Sequence, residues 1–134
     1  MPYLYSPERY ARSVETITQL AAAQGRSLRD FLWMAYVMVA VDADPDTARE
    51  RAARFLGMTY SRDFTEIVDR VTVTGTPEVE TNRLRDFVQA GARHLVLLPC
   101  VDREGRTSPG SEPWLTDLLS ELRGASHTAG ATKA

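Results

Sequence analysis

The segment Leu32-Trp33-Met34-Ala35-Tyr36-Val37-Met38-Val39-Ala40-Val41 contains no polar position in ten residues. A helix of a small protein leaves one side in water and therefore shows polar residues at regular intervals. An unbroken run with β-branched and aromatic members reads instead as a strand buried on both faces, as in parallel sheets. At half the length a membrane span needs, it is not a transmembrane segment. His94-Leu95-Val96-Leu97-Leu98 is a shorter run of the same kind, stopped by Pro99. Val71-Thr72-Val73-Thr74 alternates and reads equally as a short edge strand or as an extended loop.

Helical grammar fills the space between. Ser6-Pro7-Glu8, Asp44-Pro45-Asp46 and Thr76-Pro77-Glu78 each place a side-chain acceptor, a proline and an acid at a helix start. Gly25, Gly57 and Gly91 stand where left-handed closing residues are expected. Tyr10, Val14, Ile17 and Ala21, then Ala48, Ala52 and Phe55, then Leu84, Phe87 and Val88 recur at helical spacing. A fourth helix is expected from Pro113 to Arg123, and the small, polar residues 124–134 read as a disordered tail. The expectation is α/β: two parallel strands, since helices separate them, and four helices in one domain over residues 1–123.

Two strands leave two open edges, and so apolar a strand is a poor edge because its free backbone invites association. The expectation is therefore a sheet incomplete on its own: either the chain is a fragment of a larger fold, or the sheet is finished by a partner chain or by self-association as a homo-oligomer. Other classes are excluded more simply. A net charge of −2 with fifteen arginines scattered from Arg9 to Arg123 and one lysine, Lys133, gives no drive toward nucleic acid or anionic membrane. Cys100, the single cysteine, allows no internal disulfide and fits a reducing compartment. With no basic-then-apolar leader in residues 1–8, a cytoplasmic location is expected.

The stretch from Gly75-Thr76-Pro77-Glu78-Val79 through Ala90-Gly91-Ala92-Arg93-His94-Leu95-Val96-Leu97-Leu98-Pro99 resembles the last helix–strand unit of luciferase-like monooxygenases. These are (β/α)8-barrel oxidoreductases that use reduced flavin or a deazaflavin. Ser6-Pro7-Glu8-Arg9-Tyr10-Ala11 with Gly25-Arg26 is similar to the family's sixth helix. Val39-Ala40-Val41-Asp42-Ala43-Asp44 running on to Ala48-Arg49 is similar to the end of strand seven and the helix after it. The resemblance implies the C-terminal part of a TIM barrel, since a whole one takes about 250 residues. It implies a flavin- or deazaflavin-dependent oxidoreductase or monooxygenase acting on a small organic substrate, inactive as this chain alone. FMN or the deazaflavin coenzyme F420 is the implied cofactor. The alternative is a non-catalytic half-barrel relic that self-associates through strand edges.

Barrel sites lie where strands end. That rule selects Pro2, Tyr3 and Tyr5, then Asp42 and Asp44, then Cys100, Asp102, Arg103 and Arg106. Asp44 is better explained as a helix cap, and Asp42 reads equally as a strand end in solvent. Arg103 and Arg106 are candidates for an anionic cofactor or substrate, against the plainer reading of solvated loop arginines. Cys100 lacks an accompanying base and reads as inert, and His94 falls at the opposite end of its strand. Two histidines and one cysteine this far apart make no metal site. Tyr60, Arg62 and Phe64, where the family carries a mobile segment, are candidates with Tyr3 for a substrate-side wall, against a surface connection with one anchored aromatic.

Overall fold

In the computed structural model, residues 4–109 and 111–128 are described. Helix α1 (Pro7–Ala23) starts where Ser6 Oγ accepts from the Arg9 amide at 3.2 Å. Strand β1 (Met34–Val41) follows a loop. Helix α2 (Pro45–Tyr60) is capped by Asp44, whose Oδ2 accepts from the Thr47 amide at 3.2 Å. Short helix α3 (Val68–Val71) leads into strand β2 (Val73–Gly75). Helix α4 (Pro77–Gln89), strand β3 (His94–Pro99) and helix α5 (Ser111–Thr128) complete the order.

The α/β class and the parallel pairing stand, with corrections to the inventory. Among the described residues there are three strands and five helices rather than two and four. Val73–Gly75 is a strand, and Val71 closes α3 instead. Leu32 and Trp33 precede β1 and do not belong to it. Gly57 lies inside α2, which runs three residues further and ends where Ser61 takes the left-handed conformation at φ 52°. Thr76 stands at the start of α4 without a side-chain cap bond; its carbonyl accepts from the Glu80 amide at 3.0 Å. Helix α5 extends beyond Arg123 to Thr128, and residues 129–134 of the expected tail lie outside the described residues.

The larger correction concerns the edge. The sheet order is β2-β1-β3, so the apolar strand is flanked on both sides by strands of its own chain. Three residues suffice for the second flank: Val39, Ala40 and Val41 pair with Val73, Thr74 and Gly75. On the other side six residues, Met34 to Val39, pair with His94 to Pro99. What stays open has moved outward. No described strand faces Met34–Met38 on the β2 side, and β3 closes the sheet with Leu95 to Pro99 only half-buried.

Side chains of β1 alternate between two cores. Ala35, Val37, Val39 and Val41 pack with Tyr10 of α1, Leu84 and Phe87 of α4, and Trp114 and Leu118 of α5. Met38 and Ala40 pack with Ala52 and Leu56 of α2, Phe64, and Val68 of α3. Right-handed crossovers explain helices on both faces. The chain moves one way from β1 to β2 and back the other way to β3, which requires opposite faces for α2 and α4. In a closed barrel consecutive strands are neighbours and helices form an outer ring. Here the β1·β3 pair with α1, α4 and α5 has that ring-like arrangement, whereas β2, α2 and α3 sit as in an open, doubly wound sheet.

Leu84 has no exposed surface, so Leu84→Ala should lower unfolding stability by about 2–5 kcal/mol in urea titration. Val79→Ala, on the exposed side of the same helix, should change it by less than about 0.5 kcal/mol.

Candidate functional site

Parallel strands end together, so topology alone brings Asp42, Gly75 and Cys100 to one rim. Both a barrel and a doubly wound sheet bind ligands at that rim, the second where crossovers reverse direction. With order β2-β1-β3, that point lies between the ends of β1 and β3. The Asp42 carboxylate and the buried Ser108 hydroxyl tie the two exits together by a short hydrogen bond across 66 residues of sequence. Asp42 Oδ1 also accepts from the Asp44 amide at 3.1 Å. The Ser108 hydroxyl, then the Asp44 amide, hold the Asp42 acid below its ordinary range.

The loop after β3 folds on itself. Asp102 Oδ1 accepts from the Glu104 and Arg106 amides at 3.0 and 2.9 Å, and Oδ2 from Arg106 Nε at 3.0 Å. Gly105 makes the turn possible at φ 78°, a conformation side chains resist. The Arg106 guanidinium is thus engaged with Asp102 and with Glu104, and its carbonyl accepts from Arg51 Nη1 at 3.3 Å. Arg103 is exposed and has no ion-pair partner among the described residues.

Close to Cys100 is a polar group the helical period betrays. Glu80 lies on the row of Leu84 and Phe87, the buried side of α4, and is fully buried itself. Neither carboxyl oxygen has a hydrogen-bond partner among the described residues. Burial pushes its pKa up to about 9; the Gly75 amide offsets little of this and closes no hydrogen bond. The group is therefore a neutral carboxylic acid at neutral pH. Beside it Cys100 is buried, and burial followed by the nearby Glu80 raises the thiol to about 12. The thiol is unreactive, in line with its lack of a base.

The other sequence candidates are dispersed. Pro2 and Tyr3 lie outside the described residues. Tyr5 holds Arg9 over its ring at 4.2 Å. Asp44 serves as the cap of α2, and His94 is exposed at the entry end of β3. The Tyr60 and Phe64 rings meet at 5.6 Å, tilted by 47°, and Arg62 lies 5.8 Å from the Phe64 ring. Phe64 itself is anchored in the α2-side core. Tyr60 ends α2, roughly 22 Å along its axis from the rim at a rise of about 1.5 Å per residue. Among the described residues no group of acids, histidines and cysteine could hold a metal, and no helix is long and apolar enough to cross a membrane. Glu80, Ser108 and Arg51 were not singled out from sequence; of these, only Glu80 carries a local signal, its place on an apolar row.

Glu80 ionises near pH 4.5 when unfolded and near 9 when folded, so the folded state holds the extra proton between these values. Stability should fall as pH rises through that window. Glu80→Gln should remove the slope, leaving stability at pH 4 almost unchanged and raising it by roughly 1–3 kcal/mol at pH 8 in urea titrations.

No protein-family model matches the chain, and no curated protein matches it. Solved structures do. An F420-dependent secondary alcohol dehydrogenase, solved with an F420–acetone adduct, superposes at a TM-score of 0.65 with 16% identity, covering 89% of this chain and 40% of that one. A coenzyme F420-dependent tetrahydromethanopterin reductase from Methanopyrus kandleri gives 0.51 and 17%, covering 85% of this chain and 41% of that one. Both are (β/α)8-barrel oxidoreductases of the luciferase-like kind. At these identities the likeness is one of fold: this chain shares the fold of a portion of such barrels and spans about two-fifths of their length.

Proposed function

We propose that the chain forms one part of a coenzyme F420-dependent, luciferase-like oxidoreductase acting on a small organic substrate, and that it is inactive alone. The fold likeness of 89% of this chain to two-fifths of an F420-dependent dehydrogenase carries the reading. It favours a deazaflavin over FMN, since both neighbours are described as F420-dependent. When bound, the deazaflavin would supply hydride transfer, and the protein's part is to place and shield it.

The residues present fit one wall of such a site. Arg103 stands free on the rim and is the proposed contact for an anionic part of the cofactor, with Arg106 holding the loop in shape. Two depressions, about 520 and 400 Å³, run along α1 and are lined by Ile17, Phe31 and their neighbours. The remaining walls belong to the three-fifths of the barrel this chain does not span. Tyr60, Arg62 and Phe64 are proposed as a substrate-side wall only on the α2 flank, away from Arg103.

Titrating the full chain with oxidised F420, followed by amide chemical shifts, tests this. The expected result is millimolar binding with shifts confined to residues 42–44 and 101–108, weakened by Arg103→Ala, and smaller shifts with FMN. Micromolar affinity, or shifts centred on residues 31–34, would overturn the one-wall account.

A further inference from the structure

Strand β3 is outermost in the sheet, and the bonds it makes inward determine what its free side offers. The His94 amide donates to the Trp33 carbonyl at 3.0 Å and the Cys100 amide to the Val39 carbonyl at 2.8 Å. Period two along a strand then gives residues 94, 96, 98 and 100 to β1 and turns the backbone of Leu95 and Leu97 outward. Among the described residues no hydrogen bond engages those outward amides. Natural edges are protected by charged residues, bulges or a covering element. Here residues 95–99 carry no charge, and the pairing with β1 runs from His94 to Pro99 without a bulge. No described strand covers the outer side.

The side chains follow the same alternation. Leu95 and Leu97 pack with the core under α1, α4 and α5, and Leu98 packs with the core under α2 and α3. Val96 points to the Leu98 side, is half-buried, and belongs to neither core. The free edge therefore carries a half-exposed β-branched residue midway between its two outward amides.

We propose that two copies of this chain pair antiparallel through β3, about a two-fold axis normal to the sheet at Val96. The occupant is a second copy because this edge is its own complement. The axis sets Leu95 opposite the partner's Leu97, and Leu97 opposite the partner's Leu95. In an antiparallel ladder each such facing pair exchanges both of its N–H···O bonds. Val96 then meets the partner's Val96 at the closer spacing of a non-hydrogen-bonded pair, about 4.5 Å between Cα atoms, and no like charges oppose one another. The contact is isologous and so closes at two. It makes one sheet of order β2-β1-β3-β3-β1-β2, with the two rims at opposite ends. The pairing is that of the chain on its own, before any further barrel strand takes the same edge. It uses neither Arg103 nor a cofactor, so its failure leaves the reading above untouched.

Sedimentation velocity and amide hydrogen exchange on the full chain test it. A species of twice 14.9 kDa is expected. In it the Leu95 and Leu97 amides should exchange slowly and speed up on dilution, while those of Val96 and Leu98 stay slow at every concentration because they bond β1. Val96→Lys and Val96→Glu each set like charges across the axis and should be monomers, folded by circular dichroism. Mixing the two should restore a dimer that salt weakens. Should either variant fail to fold, the dilution experiment on the wild type decides alone. The proposal is overturned by a wild-type monomer up to about 0.1 mM (roughly the weak limit of specific association), or by a dimer in which the Leu95 and Leu97 amides exchange as in a free peptide. It is equally overturned by an open-ended series of masses, which would place β3 against Met34–Met38 of the next copy. Folded variants that still dimerise alone, or that do not pair when mixed, overturn it as well.

Discussion

Backbone amides and carbonyls of a strand without polar side chains can leave water only when other strands accept them, and β1 imposes that demand on the whole chain. Its residues point alternately into two cores, so both faces need a helical cover as well. β3 meets six residues on one side, β2 meets three on the other, and the two faces are closed by α2 and α3 and by α1, α4 and α5. The spatial order β2-β1-β3 follows, and with it the rim where Asp42, Gly75 and Cys100 end together.

That arrangement combines two architectures. The fold likeness to barrel oxidoreductases covers 89% of the chain, and on one face the β1·β3 pair lies under three helices as in a barrel wall. The other face carries α2, which a closed barrel would keep outside its wall. The common feature is the direction of the strands: either way, ligand chemistry belongs at their carboxyl ends, and either way the loop from Asp102 to Ser108 lies over it. The incompleteness inferred from composition persists in a different place, at the outer side of β3 and beside Met34–Met38, and not along the whole of β1.

Local signals were legible in the sequence. The Ser6 and Asp44 caps act within three residues of themselves, so their chemistry is readable without a fold. The strand character of β1 and β3 was equally plain, because neither run carries the regularly spaced polar positions of a surface helix. Short or non-local features were not. β2 has only three residues and gains its status by pairing with β1; Gly57 stays helical because the turn is made four residues later, by Ser61. The Asp42–Ser108 bond spans 66 residues and leaves no trace in either neighbourhood. Glu80 occupies an apolar row in plain view, yet a carboxyl there breaks the usual rule that buried acids are paired. The family resemblance added the cofactor class and the end of the sheet, not the partners of any side chain.

The claim that most of this depends on is that β1 is an interior strand, seated between β2 and β3 of the same chain. Residue-resolved amide hydrogen exchange in dilute solution addresses it through two bonds. The Asp42 amide donates to the Gly75 carbonyl at 3.0 Å on the β2 side, and the Cys100 amide to the Val39 carbonyl at 2.8 Å on the β3 side. Both should exchange far more slowly than in a free peptide. A slow Cys100 amide beside an Asp42 amide exchanging at the free-peptide rate would contradict the account, because β1 would then be the bare edge that the structure says it is not.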